Sequence, residues 1–427
     1  MFKSPASLAL LAVSAIASLA AAQAPASAPI VLHAARLLQI DTGTLLQPGE
    51  VLVEGDRIRA VGTSVDHPQG AKVIDLGNTT LLPGLIDVHV HLFLHPGEED
   101  LQTVEESVPW RVILAEQAAK ADLMAGYTAE RDMGTEGAGS ADTALRNAIN
   151  QGIIPGPRLR ISGNAIDLLG GHEDAIGYNP AQHVLSNADY ANSADQLVEV
   201  MRAQHKEGSD FAKIYETGPD SMVDGVLHVP YQYTEEQLAA AVAEGRRLGG
   251  GVGVHAMGEP GTLYAAQAGV NSIDHATQLS DETMRLMREK HIPAVPTFTI
   301  FEYFAEHAQT PEAAKFQHEF LSYKIAEFKK QLAAGIPFAV GSDVGPFEHG
   351  TQARELELLV RFGMKPLAAL QADMIEGARV LKWENQIGQL KPGYLADVVA
   401  VPANPLEDIR VMERVSFVMK GGVVVKQ

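Results

Sequence analysis

The chain contains no cysteine. Disulfides, thiolate metal ligands and a cysteine-linked lipid anchor are therefore excluded, and any metal site has to use histidine, carboxylate or lysine. Basic residues are scarce as well. Lys and Arg number 33 against 53 Asp and Glu, a formal charge of −20. So acidic a surface repels phosphate backbones and anionic lipid, which argues against nucleic acid as a partner; it says little about a small-molecule substrate, because local charge in a cleft can oppose the net value. Long apolar runs are missing, apart from Leu8 to Ala22. That run has Lys3 before it and ends on Ala20-Ala21-Ala22, and at about fifteen apolar or small residues it is short for a membrane span. It reads as an export signal over residues 1–22. The expectation is a periplasmic or secreted protein with no membrane anchor.

After a Pro/Ala/Ser linker, short β-type runs follow at Ile30–Ala34, Leu38–Ile40, Glu50–Glu54, Arg57–Val61 and Ala71–Asp75, separated by turn signals such as Asp41-Thr42-Gly43. From residue 82 the texture becomes strands alternating with helices, the sign of a parallel α/β architecture. Helices are expected at 104–124, ended by Gly126, and at 141–151. Two more open on the capping boxes Ser193 to Gln196 and Thr234 to Gln237, and another begins at Pro311 after Thr310; the last two cover 351–362 and 366–381. The strands are Leu85–Val90, Tyr127–Met133, Leu159–Ser162 and the runs FAKIYE, GVGVHA, NSIDHA, IPAVPTF and IPFAVGSD. Eight such alternations predict a (β/α)8 TIM barrel over 82–384. The tail returns to β character at Ile387–Leu390, Asp397–Val401 and Val415–Val425. Segments 29–81 and 385–427 would then pack together as a small β-sandwich built from both chain ends.

In such a barrel the C-terminal ends of the strands converge on one mouth. His89 and His91 close the first strand, two residues apart, so their imidazoles share a face with α-carbons roughly 6.6 Å apart. Lys213 stands on the fourth strand, His255 on the fifth, His275 on the sixth and Asp343 at the end of the eighth. Taken singly, His255 or His275 reads as a hydrogen-bonded core histidine, and Asp343 as a turn cap. Together they aim imidazoles, an amine and a carboxylate at one volume. Lys213 is the most telling, because an ammonium in a barrel interior costs several kcal/mol unless paired and its neighbours Phe211, Ala212 and Ile214 are apolar. Tyr215 shares the face of Lys213. His172 lies on the Gly-rich loop GNAIDLLGGHED. Both are candidates for touching substrate, with a core-filling ring and an ordinary loop residue as the alternatives. His349, in HGTQARELELL, reads as serving the entry to a late helix.

The string LLPGLIDVHVHL resembles the first barrel strand of the amidohydrolase superfamily, with its PG-x-ID-x-H-x-H pattern. TAERDMG, VHAMGEPG, AGVNSIDHA, HGTQARELELLVRFGM and GQLKPGYLADVVAV are similar to one branch of it. That branch holds imidazolonepropionase-related proteins, metal-dependent Xaa-Pro and other C-terminal dipeptidases, and hydrolases that release phenylalanine from ochratoxin A. The resemblance implies two divalent ions, zinc before others: His89, His91 and Asp343 hold one, His255 and His275 the other. Lys213 bridges them as its carboxylated form. Asp343 would be the catalytic residue, taking a proton from the attacking water and passing it to the leaving nitrogen. By position, Tyr215 and His172 would hold the substrate's carboxylate. The implied reaction cuts the amide before a C-terminal amino acid in dipeptides or N-acyl amino acids, ochratoxin A among them. An imidazolonepropionase-like cyclic-amide hydrolysis, a deamination or a lactonase reaction on the same metals is the alternative, as is a single-metal site. The resemblance also implies a homo-oligomer, an octamer or another ring. Met257 stands where relatives commonly carry a second histidine, and Ala372-Asp373 replaces their usual AT.

Overall fold

The computed structural model describes residues 28–97, 99–179 and 181–427. The expected export signal lies outside them. Ile30–Ala34, Gly49–Glu54, Arg57–Gly62 and Lys72–Asp75 form one four-stranded sheet. A six-stranded sheet joins Arg36–Gln39, Thr44–Leu46 and Thr80–Pro83 to Val398–Val401, Phe417–Lys420 and Val423–Lys426, with Leu82 opposite Val399. The two ends of the described chain thus share a sheet. Leu32, Val51 and Ile58 from the first sheet and Leu37, Val398 and Phe417 from the second belong to one buried apolar cluster. Burying such side chains contributes about 1.5–3 kcal/mol each. The strand expected at Ile387–Leu390 does not form. Gly388 is left-handed there (φ +83°), and a Cβ on it would meet the Met374 carbonyl oxygen at 2.1 Å, so the chain turns against a helix instead.

The parallel strands fall into two sheets. Leu85–Val90, Tyr127–Asp132 and Arg158–Ile161 make one, in the order third–second–first. The other runs Ala188–Tyr190, Ala165–Asp167, Ala212–Tyr215, Val252–Ala256, Ser272–His275 and Ala294–Val295. One closed eight-stranded barrel sheet is therefore not what the described residues form. The third strand stops at Ile161 and the ladder resumes in another sheet at Ala165, inside the stretch expected to be loop. The seventh strand shrinks to two residues. The eighth makes only single bridges, Ala294 with Phe338 and Val90 with Val344. Hydrogen bonds nevertheless tie residues 337–344 to both sheets: Ala294 N–H donates to Pro337 O at 3.0 Å, Val88 N–H to Val340 O at 3.0 Å and Asp343 N–H to His89 O at 2.8 Å. Gly341 permits this approach, since a Cβ there would meet His89 Cβ at 2.6 Å and Val295 Cγ1 at 2.5 Å.

The first long helix is split. Glu99–Glu105 and Val108–Ala125 are separate, because Pro109 in the first turn of the second has no N–H to give and disfavours helix in the residue before it. The Thr234 capping box is complete, whereas at Ser193 only half forms: Gln196 turns its side chain to Asn192 N–H at 2.7 Å. Pro311–Ala334 opens on Thr310 as expected, and a further helix, Phe298–His307, precedes it. The late helices are Arg354–Arg361 and a Pro366–Val380 stretch interrupted by a π turn at Ala372–Glu376.

Candidate metal centre

Register brings the candidate residues level. Tyr215 pairs with His255, and Ala256 with His275, so adjacent strands deliver their last side chains to the same height. His89, His91, His172, Lys213, Tyr215, His255, His275 and Asp343 all line one cavity of about 210 Å³. The sequence-predicted residues are thus brought together without exception. His349 is not among them. Its side chain is buried beside Asp122, with Nδ1 2.8 Å from that carboxylate.

Three donors form a near-equilateral set. Nε2 of His89 and Nε2 of His91 are 3.3 Å apart, and Asp343 Oδ1 lies 3.4 and 3.3 Å from them. The edge of a tetrahedron around an ion bonded at about 2.1 Å is about 3.4 Å, so this donor set fits a zinc-like ion. On the other side, the His255 and His275 rings are 4.4 Å apart between centroids, and His89 is 5.1 Å from His275. The buried Nε2 of His255 and Nζ of Lys213 have no hydrogen-bond partner. Lys213 is 0% exposed, with the Tyr215 ring 4.9 Å from its Nζ. Orphaned polar atoms this deep cost about 1–3 kcal/mol each unless something else satisfies them. A cation on the imidazole and a carboxyl group added to the amine would do so.

Electrostatics point the same way. Burial, with Lys213 nearby, pulls His89 and His172 down to about 4. Burial and neighbouring imidazoles hold His255 and His275 well below the usual range. These rings are neutral, the form that donates a lone pair to a metal. Burial also lowers Lys213 and so favours its free amine. Burial would raise Asp343, but His89, His91 and Lys213 outweigh it and keep it ionised. His91 behaves differently: burial opposes its charge, yet Asp343 and Glu136 on either side raise it.

Outer contacts fix each ring. His89 Nδ1 lies 3.1 Å from Asp274 Oδ1, and Asp274 accepts from Arg131 Nη2 at 2.9 Å and Ser272 Oγ at 2.8 Å. His91 Nδ1 lies 3.0 Å from Glu136 Oε1, and His275 Nδ1 2.8 Å from Thr297 Oγ1. A carboxylate behind a ligating histidine sets its tautomer and raises its basicity. Asp87 braces the base of the site, accepting from His89 N–H at 2.9 Å and from the Ser342 hydroxyl at 2.5 Å. Sequence reading missed Asp274, Arg131, Glu136 and Thr297. Only Asp274 carried a signal, as a carboxylate beside a candidate ligand on an apolar strand. Also missed were the cavity walls. Ile300, Phe301, Phe304, Phe316 and Phe320 give the lining an apolar part, and Glu99 and Glu173 an acidic one. With Glu136 these two place carboxylate oxygens within 4.8 Å of one another.

A fold of parallel strands ending in this histidine, lysine and aspartate set defines a class: the chain belongs to the amidohydrolase family, whose description matches residues 80–425, and it is a hydrolase acting on amide bonds. Members of that family generally use metal ions. Among individual relatives, it is 32% identical to ochratoxinase from Aspergillus niger, across 90% of this chain and 85% of that one. Imidazolonepropionase from Streptomyces griseus is 25% identical, across 87% of this chain and 92% of that one. The solved structure of a Xaa-Pro dipeptidase with methionine bound in its active site superposes with a TM-score of 0.85 at 30% identity, covering 94% of this chain and 100% of that one. No helix among the described residues is long and apolar enough to cross a membrane.

Proposed function

We propose that the protein is a binuclear metal-dependent amidohydrolase that cuts the amide bond before the C-terminal amino acid of dipeptides or N-acyl amino acids. The observation that carries this reading is Lys213, fully buried with an unpartnered amine in the same cavity as five imidazoles and Asp343. His89, His91 and Asp343 would hold one ion, His255 and His275 the other, with the carboxylated Lys213 between them. Zinc suits imidazole and carboxylate donors. Ions held there supply Lewis acidity toward a carbonyl oxygen and lower the pKa of a water molecule.

The chain's own residues do the rest. The lowered pKa of Lys213 makes available the neutral amine whose lone pair attacks carbon dioxide, the nitrogen giving up a proton as the carbamate forms. Asp343, ionised and within 3.4 Å of His89, is placed to accept the water's proton and pass it to the leaving nitrogen. Tyr215 and His172, whose rings stack at 5.2 Å, are candidates to hold the substrate's carboxylate, and the buried Nδ1 of His172 has no partner of its own. The Phe301, Phe304, Phe316 and Phe320 wall excludes water and accepts an apolar or aromatic group. Ochratoxin A, an aromatic acyl group on phenylalanine, belongs in that class, and the ochratoxinase relative supports its inclusion.

The reading extends to the architecture: a TIM-barrel-type α/β domain over 82–384, with the segments 29–81 and 385–427 as one β-sandwich. An export signal over residues 1–22 and assembly into a homo-oligomer complete it. The deciding experiment incubates metal-loaded enzyme with dipeptides, N-acyl amino acids and ochratoxin A, and assays free amino acid. Release from at least one member is expected. No release from any overturns the proposal.

A further inference from the structure

The strand Ser272–His275 does not end in extended backbone. His275 and Ala276 are consecutive left-handed residues (φ 68° and 42°), and neither is glycine. Side chains with a Cβ adopt that conformation rarely, and a pair in sequence needs outside support. The support comes from one face of the helix Pro311–Ala334. Lys324 Nζ donates to His275 O at 2.6 Å and to Thr277 Oγ1 at 2.9 Å. One step of seven along the helix, Gln331 Nε2 donates to Ala276 O at 2.7 Å and Thr277 O at 3.1 Å. Every carbonyl from His275 to Thr277 is thereby occupied from a single helix.

Lys324 is 2% exposed, and its ammonium lies 4.6 Å from the Phe301 ring and 5.4 Å from Phe298. Phe301 in turn stands edge-on to the His275 imidazole at 5.9 Å. The same helix supplies Phe316 and Phe320 to the cavity wall. Backbone, ring and wall therefore meet on one side chain. In an ordinary strand, Ser272 and Asp274 would face the interior and His275 would face away; the left-handed step turns His275 back into the cavity beside them.

We infer that Lys324 and Gln331 are positioning residues for His275, holding the strand end in the left-handed form that aims its imidazole into the cavity. Neither touches substrate or a reacting atom. The inference rests on the reading of His275 as a metal ligand.

The test is metal retention by the full chain, loaded with Co²⁺ and dialysed against graded chelator, with its visible spectrum recorded. Wild-type protein should retain two ions. Lys324→Met, which keeps the side chain's length, should lose one of them at about 10- to 100-fold lower chelator and change the spectrum of the ion released first. Gln331→Leu should move the same way by a smaller factor, and it decides the matter alone if Lys324→Met does not fold. For whichever substrate is cleaved, kcat should fall while KM stays close to wild type, because the Phe316–Phe320 wall is untouched. Two ions in wild type with unaltered retention and spectrum in the folded variants overturns the inference alone. A wild type that retains no ion overturns the ligand reading, and the inference with it.

Discussion

Asp274→Asn is the most demanding perturbation of the site that leaves its shape intact. Asp274 is 0% exposed and Arg131 3%, and the pair meets at 2.9 Å away from bulk solvent. Removing the carboxylate's charge strands a buried guanidinium, which typically costs 3–5 kcal/mol. Arg131 keeps Val88 O at 2.6 Å and Ser272 Oγ at 3.0 Å, so the expected loss lies at the lower end, about 3 kcal/mol. Urea unfolding of metal-free protein at neutral pH reads it directly as a lower midpoint at constant slope. Arg131→Met combined with Asp274→Asn should recover part of the loss, since no charge is then left alone. The same substitution weakens the hold on His89 Nδ1, so metal affinity should fall about 10- to 100-fold. An Asp274→Asn protein within about 1 kcal/mol of wild type, with unchanged metal affinity, would refute the claim that this buried pair orients the first-strand histidine.

Lys213→Ala should reduce metal content and abolish amide hydrolysis, and a short-chain carboxylic acid added to the variant should restore part of both if a carboxyl group bridges there; metal analysis and rate assays check it. Gly341→Ala puts a methyl group 2.6 Å from His89 Cβ, an overpacking expected to cost about 1–3 kcal/mol and to lower the melting temperature measured by calorimetry. Acid should unfold the metal-free protein by a route that runs through Asp274. Burial would raise its pKa, but Arg131 and His89 outweigh burial and hold it below the ordinary value. Its contribution is therefore present above the unfolded pKa of ~3.9 and lost as pH falls through the lower folded value, so Asp274→Asn should flatten the stability–pH curve below about pH 4.

How far the residues alone disclosed this arrangement depends on which physical signal each feature leaves. The first strand announced itself because an apolar run ending in His-x-His follows strand alternation, and the structure keeps both rings on one face with Nε2 atoms 3.3 Å apart. Ile30–Ala34, Gly49–Glu54, Arg57–Gly62 and Lys72–Asp75 were legible as β-type runs between turn signals, whereas Thr44–Leu46 was not expected and the strand expected at Ile387–Leu390 does not form. Residues 336–343 read as a strand on composition, yet the segment 336–344 makes only single bridges, at Phe338 and Val344, and at Gly341 it runs so close to His89 that a Cβ would meet it at 2.6 Å. Apolar content carries no information about such a close approach. The wall of Phe301, Phe304, Phe316 and Phe320 was invisible too: nothing in an amphipathic helix says which apolar residues face a cavity and which a core.

The sharper reason lies in the backbone at the strand ends. Alternation assigns His275 to the face opposite Asp274, and on that rule only one of them could reach the first-strand histidines. In the structure both do: Asp274 lies behind His89 at 3.1 Å, and the His275 ring stands 5.1 Å from the His89 ring. Positive φ at His275, Thr297 and Asp343 makes this possible. Each left-handed residue with a Cβ is disfavoured by about 1–2 kcal/mol, and these three cluster around one cavity. Strain concentrated at the positions where donors must converge implies that the surrounding hydrogen bonds, those of Asp87, Thr297 and Lys324, hold the site open against its own backbone preference. The period-two rule fails at the strand ends because the chain there is held for convergence of donors rather than for continuation of the sheet.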